Sequence, residues 1–319
     1  QRVGRTIAVS TAATGRTMTD LILFSPSGVV ARPPVLRLAA RRLAGLGFDV
    51  GLDAAALARH QRFAGDDDVR LAAVHRVARS APSVAMATRG GYGLSRLLDA
   101  IDWPLLARAA TAGTRWVGHS DFSVLQLGLL AHTGAASWAG PMATDDFGRS
   151  DDDGGVDDVT AGCFAEAMSG ELEALGFRTE TGFDGLQTRG LLWGGNLTML
   201  CSLLGTRHLP APARVKGGVL FLEDINEHPY RVERMLLQLA QTGVLQSQRA
   251  VLLGDFGRVR ASPLDRGYRL RTALAHLRSR LKVPLLTGLP FGHISTKLSL
   301  PVGRRVSLVV NGRDVLLGW

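Results

Sequence analysis

Three polar residues of the 319-residue chain have types that could form a hydrolytic site: Ser120 in "GHSDF", Glu223 in "GVLFLED" and His293 in "GLPFGH". A serine hydroxyl becomes a nucleophile when a base takes its proton, and a carboxylate usually orients that base. The chain order is nucleophile, acid, base, with gaps of 103 and 70 residues. Such a site therefore requires a fold that brings two distant parts of the chain together.

The local sequence leaves each of the three roles open. "GHSDF" has the first glycine of a nucleophile elbow, but Phe122 stands where the second glycine would be. On this stretch alone, Ser120 is better interpreted as a helix N-cap. A lone loop histidine is more often structural than catalytic. Strand alternation points Glu223 and Asp224 to opposite sides, without showing which one faces a site.

A glycine-rich loop, "TRGGYG" at residues 88–93, follows a predicted strand, as "GHSD" does. In a parallel sheet both loops open on the same edge, so we expect them to be neighbours. The backbone N–H groups of Gly90 and Gly91 could then stabilise an oxyanion. The spacing matches neither nucleotide-binding glycine signature, and a tight turn is the plain alternative.

The elements that must position these residues alternate along the chain. Predicted strands "TIAVST", "FDVGL", "SVAMATRG" and "TRWVGHS" are separated by segments with helical periodicity, including "GLSRLLDAI". This pattern predicts a mainly parallel sheet covered by helices. A second such block begins near "TRGLLWGGN" and ends in a hairpin with its turn at "NGRD". The fold class is α/β with two lobes, the second with a β-rich tail.

The domain boundaries follow from the same pattern. We expect an N-terminal nucleophile domain at residues 1–145, a linker at 146–187 and a C-terminal domain at 188–319 that carries the acid and the base. The linker is acidic and glycine-rich at "TDDFGRSDDDGGVDD", and "ELEALGFRTETGFDG" shows no clear strand register.

Composition excludes several classes of protein. Hydrophobic residues make up 46% and no apolar run is long enough for a membrane span. Two cysteines allow one disulfide and no cysteine-based metal site. The net charge of +9 comes from arginines spread along the chain without interleaved aromatics, which argues against nucleic-acid binding and suits an anionic substrate. We interpret "QRVGRTIAVS" as leading into a first strand and not as a signal peptide.

Several segments resemble the LD-carboxypeptidase family, in particular the cytoplasmic murein tetrapeptide carboxypeptidases. They lie between about residues 63 and 303, and the most specific are "RGGYGLSRLLDAIDW", "GHSDFSVLQLGLLAHTG", "LLWGGNLTMLCSLLGT" and "LEDINEHPYRVERMLLQL". The resemblance implies a cytoplasmic, homodimeric serine peptidase without metal or cofactor. It also implies a Rossmann-like, flavodoxin-like N-terminal lobe joined to a C-terminal α/β lobe.

The resemblance further implies the residue roles. Ser120 is the nucleophile, His293 the general base and then acid, and Glu223 the orienting carboxylate, with the N–H groups of Gly91 and Asp121 as the oxyanion hole. The implied substrate is the muropeptide L-Ala-D-Glu-meso-diaminopimelate-D-Ala, which loses its terminal D-Ala.

Substrate-binding residues are less sharply indicated. Our candidates are Arg89, Tyr92, Trp193, Asn196 and Arg231, with Arg234 as an alternative to Arg231. The structural alternatives are a salt bridge for the arginines, core packing for Trp193 and helix capping for Asn196. Relatives have a Pro-Ser-Gly turn after the first strand, where this chain has "VSTAATG", so we expect that turn to be missing. The competing functions are a microcin-immunity enzyme acting on a peptidyl nucleotide and a non-catalytic muropeptide-binding protein.

Overall fold

The computed structural model describes residues 19–257 and 262–319. Its strands, in chain order, are β1 (Thr19–Phe24), β2 (Phe48–Leu52), β3 (Val84–Ala87), β4 (Arg115–Gly118), β5 (Ser137–Ala139), β6 (Ala174–Arg178), β7 (Gln187–Asn196), β8 (Val219–Glu223), β9 (Ala250–Leu253), β10 (Leu285–Leu286), β11 (Leu300–Val302), β12 (Arg305–Asn311) and β13 (Asp314–Gly318).

The helices are α1 (Pro33–Gly45), α2 (Asp67–Ser80), α3 (Trp103–Thr111), α4 (Ser123–Thr133), α5 (Asp158–Ser169), α6 (Leu197–Ser202), α7 (Pro212–Val215), α8 (Pro229–Gln241) and α9 (Leu270–Arg280). Short 3-10 segments occur at Leu94–Arg96 and Ser120–Phe122, and a π-helical turn at Ala143–Phe147.

The first lobe is built on a six-stranded sheet with the order β11-β5-β4-β3-β1-β2. Its strands are parallel except β11, which returns from the C-terminal part of the chain and pairs antiparallel with β5. The loops after β1, β3 and β4 therefore share one edge, as the alternating pattern predicted.

The second lobe contains a seven-stranded sheet with the order β10-β9-β8-β7-β12-β13-β6. Strands β7 to β10 are parallel, and β12, β13 and β6 extend the sheet as antiparallel neighbours. The predicted C-terminal hairpin is β12 and β13. The predicted fold class, α/β with two lobes and a β-rich tail, is confirmed.

The two lobes share one apolar core. Helix α4, which begins just after Ser120, packs against both β7 and α6 of the second lobe. The same cluster of buried side chains includes Phe24 and Phe122 from the first lobe and Phe221 and Phe291 from the second. The end of β4 is thereby fixed beside the ends of β7 and β8, because a packed core tolerates little relative movement.

Several local predictions were wrong. "GLSRLLDAI" forms only a short 3-10 segment, and the unpredicted helix α3 follows it. The supposedly irregular stretch 171–185 contains β6, whose register is set by pairing with β13. Helix α5 also falls within residues 146–187, and the domain boundaries themselves stay a prediction.

The start of the chain differs from expectation as well. The predicted strand "TIAVST" and the segment "VSTAATG" lie outside the described residues. The first described strand is β1, and the turn that follows it is Pro26-Ser27-Gly28. The expected loss of the Pro-Ser-Gly turn was therefore wrong.

Two features bear on the compositional arguments. No helix in the described ranges has the length and apolarity needed to cross a membrane. Cys163 and Cys201 are both free, so the one disulfide that the composition allowed is not formed.

Candidate active site

Ser120 stands in a strained backbone conformation at the end of β4. Its φ is 61°, in the left-handed region that favours glycine, and the side chain is half-buried. Such strain in a non-glycine residue is concentrated at functional sites. The Ser120 hydroxyl caps neither the 3-10 segment nor α4, and it has no hydrogen-bond partner within the described ranges. The helix-capping interpretation is therefore not what the structure shows.

The glycine loop lies directly against Ser120. A Cβ on Gly90 would come within 2.8 Å of Ser120 Cβ and 2.9 Å of its Oγ, so only glycine fits there. The next residue, Gly91, has a φ of 86°. In the part of the chain that the structure describes, the N–H groups of Gly91 and Asp121 donate to no protein acceptor. Both donors are available for a ligand oxygen near the serine.

Glu223, at the end of β8, forms a hydrogen-bonded pair with His293, which lies in the loop between β10 and β11. His293 Nδ1 lies 2.8 Å from Glu223 Oε2, and the Glu223 side chain is fully buried. A carboxylate only accepts, so Nδ1 carries the proton and donates it to this bond. In the neutral imidazole, Nε2 then has the free lone pair that a general base needs.

The two carboxylates of "LED" have separate partners. Asp224 accepts hydrogen bonds from the Thr198 N–H at 2.9 Å and the Thr198 hydroxyl at 2.7 Å. Burial raises the pKa of Asp224. Because Asp224 is held by α6, Glu223 alone faces His293.

Asn196 contacts the acid and not an open cleft. Its Nδ2 donates to Glu223 Oε1 at 3.1 Å and to Asp224 Oδ1 at 3.0 Å, while its Oδ1 accepts from the Met199 N–H and caps α6. The side chain is buried. The predicted contact of Asn196 with substrate is replaced by one with Glu223.

His119 precedes Ser120 in the chain, and its ring contacts Gly140 of the first lobe and both Phe291 and His293 of the second. It is buried, its Nδ1 is 2.9 Å from the Gly140 carbonyl oxygen, and burial lowers its pKa well below the usual value. Its ring makes an edge-on contact with the His293 ring, with centroids 5.1 Å apart. The His293 ring therefore packs directly against the ring of the residue that precedes Ser120. No hydrogen bond joins Ser120 and His293 in the described structure, and such contacts often form only with substrate bound.

A cleft of about 600 Å³ opens beside this assembly. Both basic and acidic side chains line it, namely His119, His293, Arg32, Arg89, Arg149, Lys297, Asp145, Asp146 and Asp153. None of the three arginines forms an ion pair with a carboxylate within the described ranges. Arg89 and Arg149 each donate to one backbone carbonyl, and their remaining N–H groups have no carboxylate partner among the described residues and can bind an anionic ligand.

The other predicted substrate residues lie elsewhere. Trp193 is fully buried, and its indole N–H donates to Gln248 at 2.9 Å, so its role is core packing and the predicted cleft contact is corrected. Arg231, in the first turn of α8, pairs at 3.7 Å with Glu227, which precedes the helix, and does not line the cleft. Tyr92 is 44% exposed and packs beside Phe63.

Sequence reasoning missed a buried ion pair below the base. Lys297 Nζ hydrogen-bonds to Asp146 and to the Ile294 carbonyl, and both charged side chains are 3% exposed. Burial raises the pKa of Asp146. The pair ties the loop after His293 to the first lobe. Its only sequence signal is a lysine four residues beyond the histidine.

Two family models match this chain. The LD-carboxypeptidase N-terminal domain matches residues 22–140, and the LD-carboxypeptidase C-terminal domain matches residues 189–308. The chain belongs to the LD-carboxypeptidase family. Its members are serine-type carboxypeptidases, and this chain is an enzyme of that class.

Relatives and solved structures agree with the family. A probable murein peptide carboxypeptidase of Bacillus subtilis is 32% identical, over 86% of this chain and 84% of the relative. The murein tetrapeptide carboxypeptidase of Pseudomonas aeruginosa is 30% identical, over 91% and 92%. The crystal structure of muramoyltetrapeptide carboxypeptidase from Oxalobacter formigenes has a TM-score of 0.84 at 39% identity, over 94% and 98%.

A second branch shares the LD-carboxypeptidase fold. The structure of the self-immunity protein MccF in complex with glutamyl sulfamoyl guanosine has a TM-score of 0.81, over 95% of this chain and 97% of that chain. Its identity is 20%, so this likeness concerns the fold alone.

Proposed function

We propose that this LD-carboxypeptidase removes the terminal D-Ala from the muropeptide L-Ala-D-Glu-meso-diaminopimelate-D-Ala through a serine acyl-enzyme. The proposal includes a cytoplasmic place in peptidoglycan recycling and a homodimeric enzyme, as the sequence resemblance implies. The observation that carries it is the Glu223–His293 pair, whose histidine packs against His119, the residue before the strained Ser120.

In the first half of the proposed reaction, Ser120 Oγ attacks the carbonyl carbon of the bond between diaminopimelate and D-Ala. The hydroxyl proton passes to His293 Nε2, and Glu223 stabilises the resulting imidazolium through the Nδ1 hydrogen bond. The negative charge that develops on the carbonyl oxygen is met by the N–H groups of Gly91 and Asp121.

Collapse of this intermediate breaks the C–N bond. His293 returns its proton to the departing amine, and D-Ala leaves with a neutral amino group that protonates in water. Water then attacks the acyl-enzyme, His293 takes one of its protons, and Ser120 is released with that proton. The products are D-Ala and the tripeptide.

The charges of the cleft support an anionic substrate. The tetrapeptide carries carboxylates on D-Glu, on diaminopimelate and on the terminal D-Ala. The cleft carries three arginines without a carboxylate partner among the described residues, beside the aspartates named above. Arg89 is next to the glycine loop and its Nη1 donates to the Val29 carbonyl at 3.1 Å, which leaves further N–H groups for a carboxylate. We assign the D-Ala carboxylate to Arg89.

The direct test incubates the purified protein with the diaminopimelate tetrapeptide and measures free D-Ala. We expect release from this peptide and at least tenfold slower release from the same peptide with its terminal carboxylate amidated, because Arg89 then loses its anionic partner. Cleavage of a peptidyl nucleotide with no release of D-Ala would favour the microcin-immunity function instead. Binding of tetrapeptide without turnover would indicate a non-catalytic protein.

A further inference from the structure

A buried arginine beneath the glycine loop takes no part in the reaction proposed above. Arg70 is on α2, and its side chain is completely enclosed. Burial of a guanidinium group costs free energy unless its N–H groups find acceptors. The acceptors of Arg70 therefore indicate what the residue does.

Arg70 joins two loops of the nucleophile lobe. Its Nη1 donates to the Pro26 carbonyl at 3.1 Å and to the Gly93 carbonyl at 2.8 Å. Its Nη2 is hydrogen-bonded to Asp67, and its guanidinium lies over the Phe63 ring, 4.8 Å from the centroid. Pro26 belongs to the turn after β1, and Gly93 ends the glycine loop after β3. One side chain thus connects loops from two neighbouring strands.

The carboxylate of Asp121 connects the same two loops a second time. Its Oδ2 accepts from the Ser27 hydroxyl at 2.8 Å and from the Leu94 N–H at 2.9 Å. Ser27 and Leu94 directly follow Pro26 and Gly93. At each loop, Arg70 binds the carbonyl of one residue and Asp121 binds a donor of the next.

These connections reach the reacting atoms through one further bond. The Gly28 N–H donates to the Gly90 carbonyl at 3.1 Å, so the turn after β1 supports the glycine loop. Gly90 in turn contacts Ser120, and the N–H of the neighbouring Gly91 has no acceptor among the residues that the structure describes. The direction of that N–H relative to the one of Asp121 therefore depends on how the two loops are held.

We propose that Arg70 is a positioning residue which, together with the Asp121 carboxylate, fixes the turn 26–28 and the glycine loop 88–93. The two oxyanion donors then converge on one point beside Ser120. This inference rests on the proposed acyl-enzyme mechanism. A well-packed apolar side chain would fill the same space without the cost of burying a charge, but it would not hold the two carbonyls.

The test uses a fluorophosphonate probe, in which Ser120 Oγ replaces fluoride on phosphorus. Its reaction needs the nucleophile, the base and the oxyanion hole but no muropeptide. Three variants are compared with the wild type: Arg70→Met, Arg70→Lys and the control Arg76→Met. Arg76 is on the same helix and also pairs with an aspartate, Asp53, at 2.8 Å, but at an exposed position.

We expect Arg70→Met to be labelled at least about tenfold more slowly, since loss of a single oxyanion donor costs about 100-fold or more. Arg70→Lys should recover part of the rate, because an ammonium still reaches one carbonyl, and Arg76→Met should stay within about twofold. With tetrapeptide, Arg70→Met should lower kcat while KM changes less than about threefold. A purely structural role would lower the melting temperature without this split.

If folded Arg70→Met is labelled at the wild-type rate, the inference is overturned. If that variant does not fold, Ser27→Ala takes its place, since it deletes only one hydrogen bond at Asp121. Wild-type rates in both Ser27→Ala and Arg70→Lys would overturn it as well. Failure of the wild type to react at Ser120 would overturn this inference and the proposed mechanism together. Labelling at Ser120 without D-Ala release would contradict the proposed substrate alone.

Discussion

The first lobe contributes backbone geometry to the candidate site, whereas the second lobe contributes acid–base chemistry. Ser120 and Gly91 are both held at positive φ, and the free donors are main-chain N–H groups. Glu223 comes from the end of β8 and His293 from the loop after β10, neither at positive φ, and they work through a side-chain hydrogen bond. Mutations in the two lobes should therefore lower activity for different reasons. Those in the first lobe should move the loops that carry the N–H donors, and those in the second should change the protonation of His293.

The largest effect is expected at Ser120. Ser120→Ala removes the nucleophile, so D-Ala release should fall by at least about 10⁴-fold, with tetrapeptide binding retained. Ser120→Gly also lacks the hydroxyl but relieves the positive φ, and its free energy of unfolding should exceed that of Ser120→Ala by about 1 kcal/mol. Activity assays and denaturant titrations check both. Equal stability of the two variants would argue against strain at this residue.

On the second lobe, Glu223→Gln should lower kcat by about 10³–10⁴-fold while the protein stays folded. A glutamine amide can keep its oxygen toward Asn196 and present its N–H₂ to His293 Nδ1. The histidine then carries its proton on Nε2 and cannot accept one from Ser120, as for the aspartate-to-asparagine change in other triads. Steady-state kinetics with tetrapeptide measures this. Loss of less than tenfold would show that Glu223 does not set the tautomer.

In the first lobe, Asp121→Asn should raise stability and lower kcat, so the two effects can be measured separately. Burial raises the pKa of Asp121 to about 6 from an ordinary 3.8, so the folded state binds this proton more tightly than the unfolded state. The contribution of Asp121 to stability therefore falls as pH rises from about 4 to about 6. Asparagine does not titrate, and the variant should gain about 1–3 kcal/mol relative to wild type across that window.

Asp121→Asn should also lose about tenfold in kcat, because it weakens the bonds to Ser27 and Leu94. Unfolding titrations from pH 4 to pH 8, with activity measured in parallel, test the pair of effects. Parallel stability curves for the variant and the wild type would contradict the assignment of this proton to Asp121.

The smallest effect on activity is expected at Trp193. Trp193→Phe removes the bond to Gln248 and part of a fully buried ring, so the free energy of unfolding should fall by about 1–3 kcal/mol. Because the side chain does not reach the cleft, kcat/KM should stay within about twofold well below the melting temperature. A tenfold rise in KM would restore Trp193 as a substrate contact.

Periodicity predicted most elements because each depends on neighbouring residues. In "DDVRLAAVHRVARS" the apolar residues repeat with helical spacing, and "RAVLLGDF" contains a short apolar run that is typical of a buried strand. Both signals lie within the segment itself. Prediction failed where the secondary structure of a segment depends on a distant partner. For example, β6 is a strand because it pairs with β13, which lies more than 130 residues later in the chain. The 3-10 segment at Leu94–Arg96 is held by Asp121 and not by its own helical pattern.

The sequence by itself determined which chemistry was available: a serine after one strand, carboxylates after another, a histidine behind a glycine, and loops that a parallel sheet collects on one edge. Only the tertiary structure decided which carboxylate faces the histidine. Alternation along β8 points Glu223 and Asp224 to opposite sides but does not predict which residues lie on each side. Helix α6 lies on the side of Asp224. The tertiary structure likewise placed Trp193 in the core, turned Asn196 toward Glu223 and enclosed Arg70 beneath the glycine loop. These outcomes depend on packing between segments far apart in the chain, which no local pattern encodes.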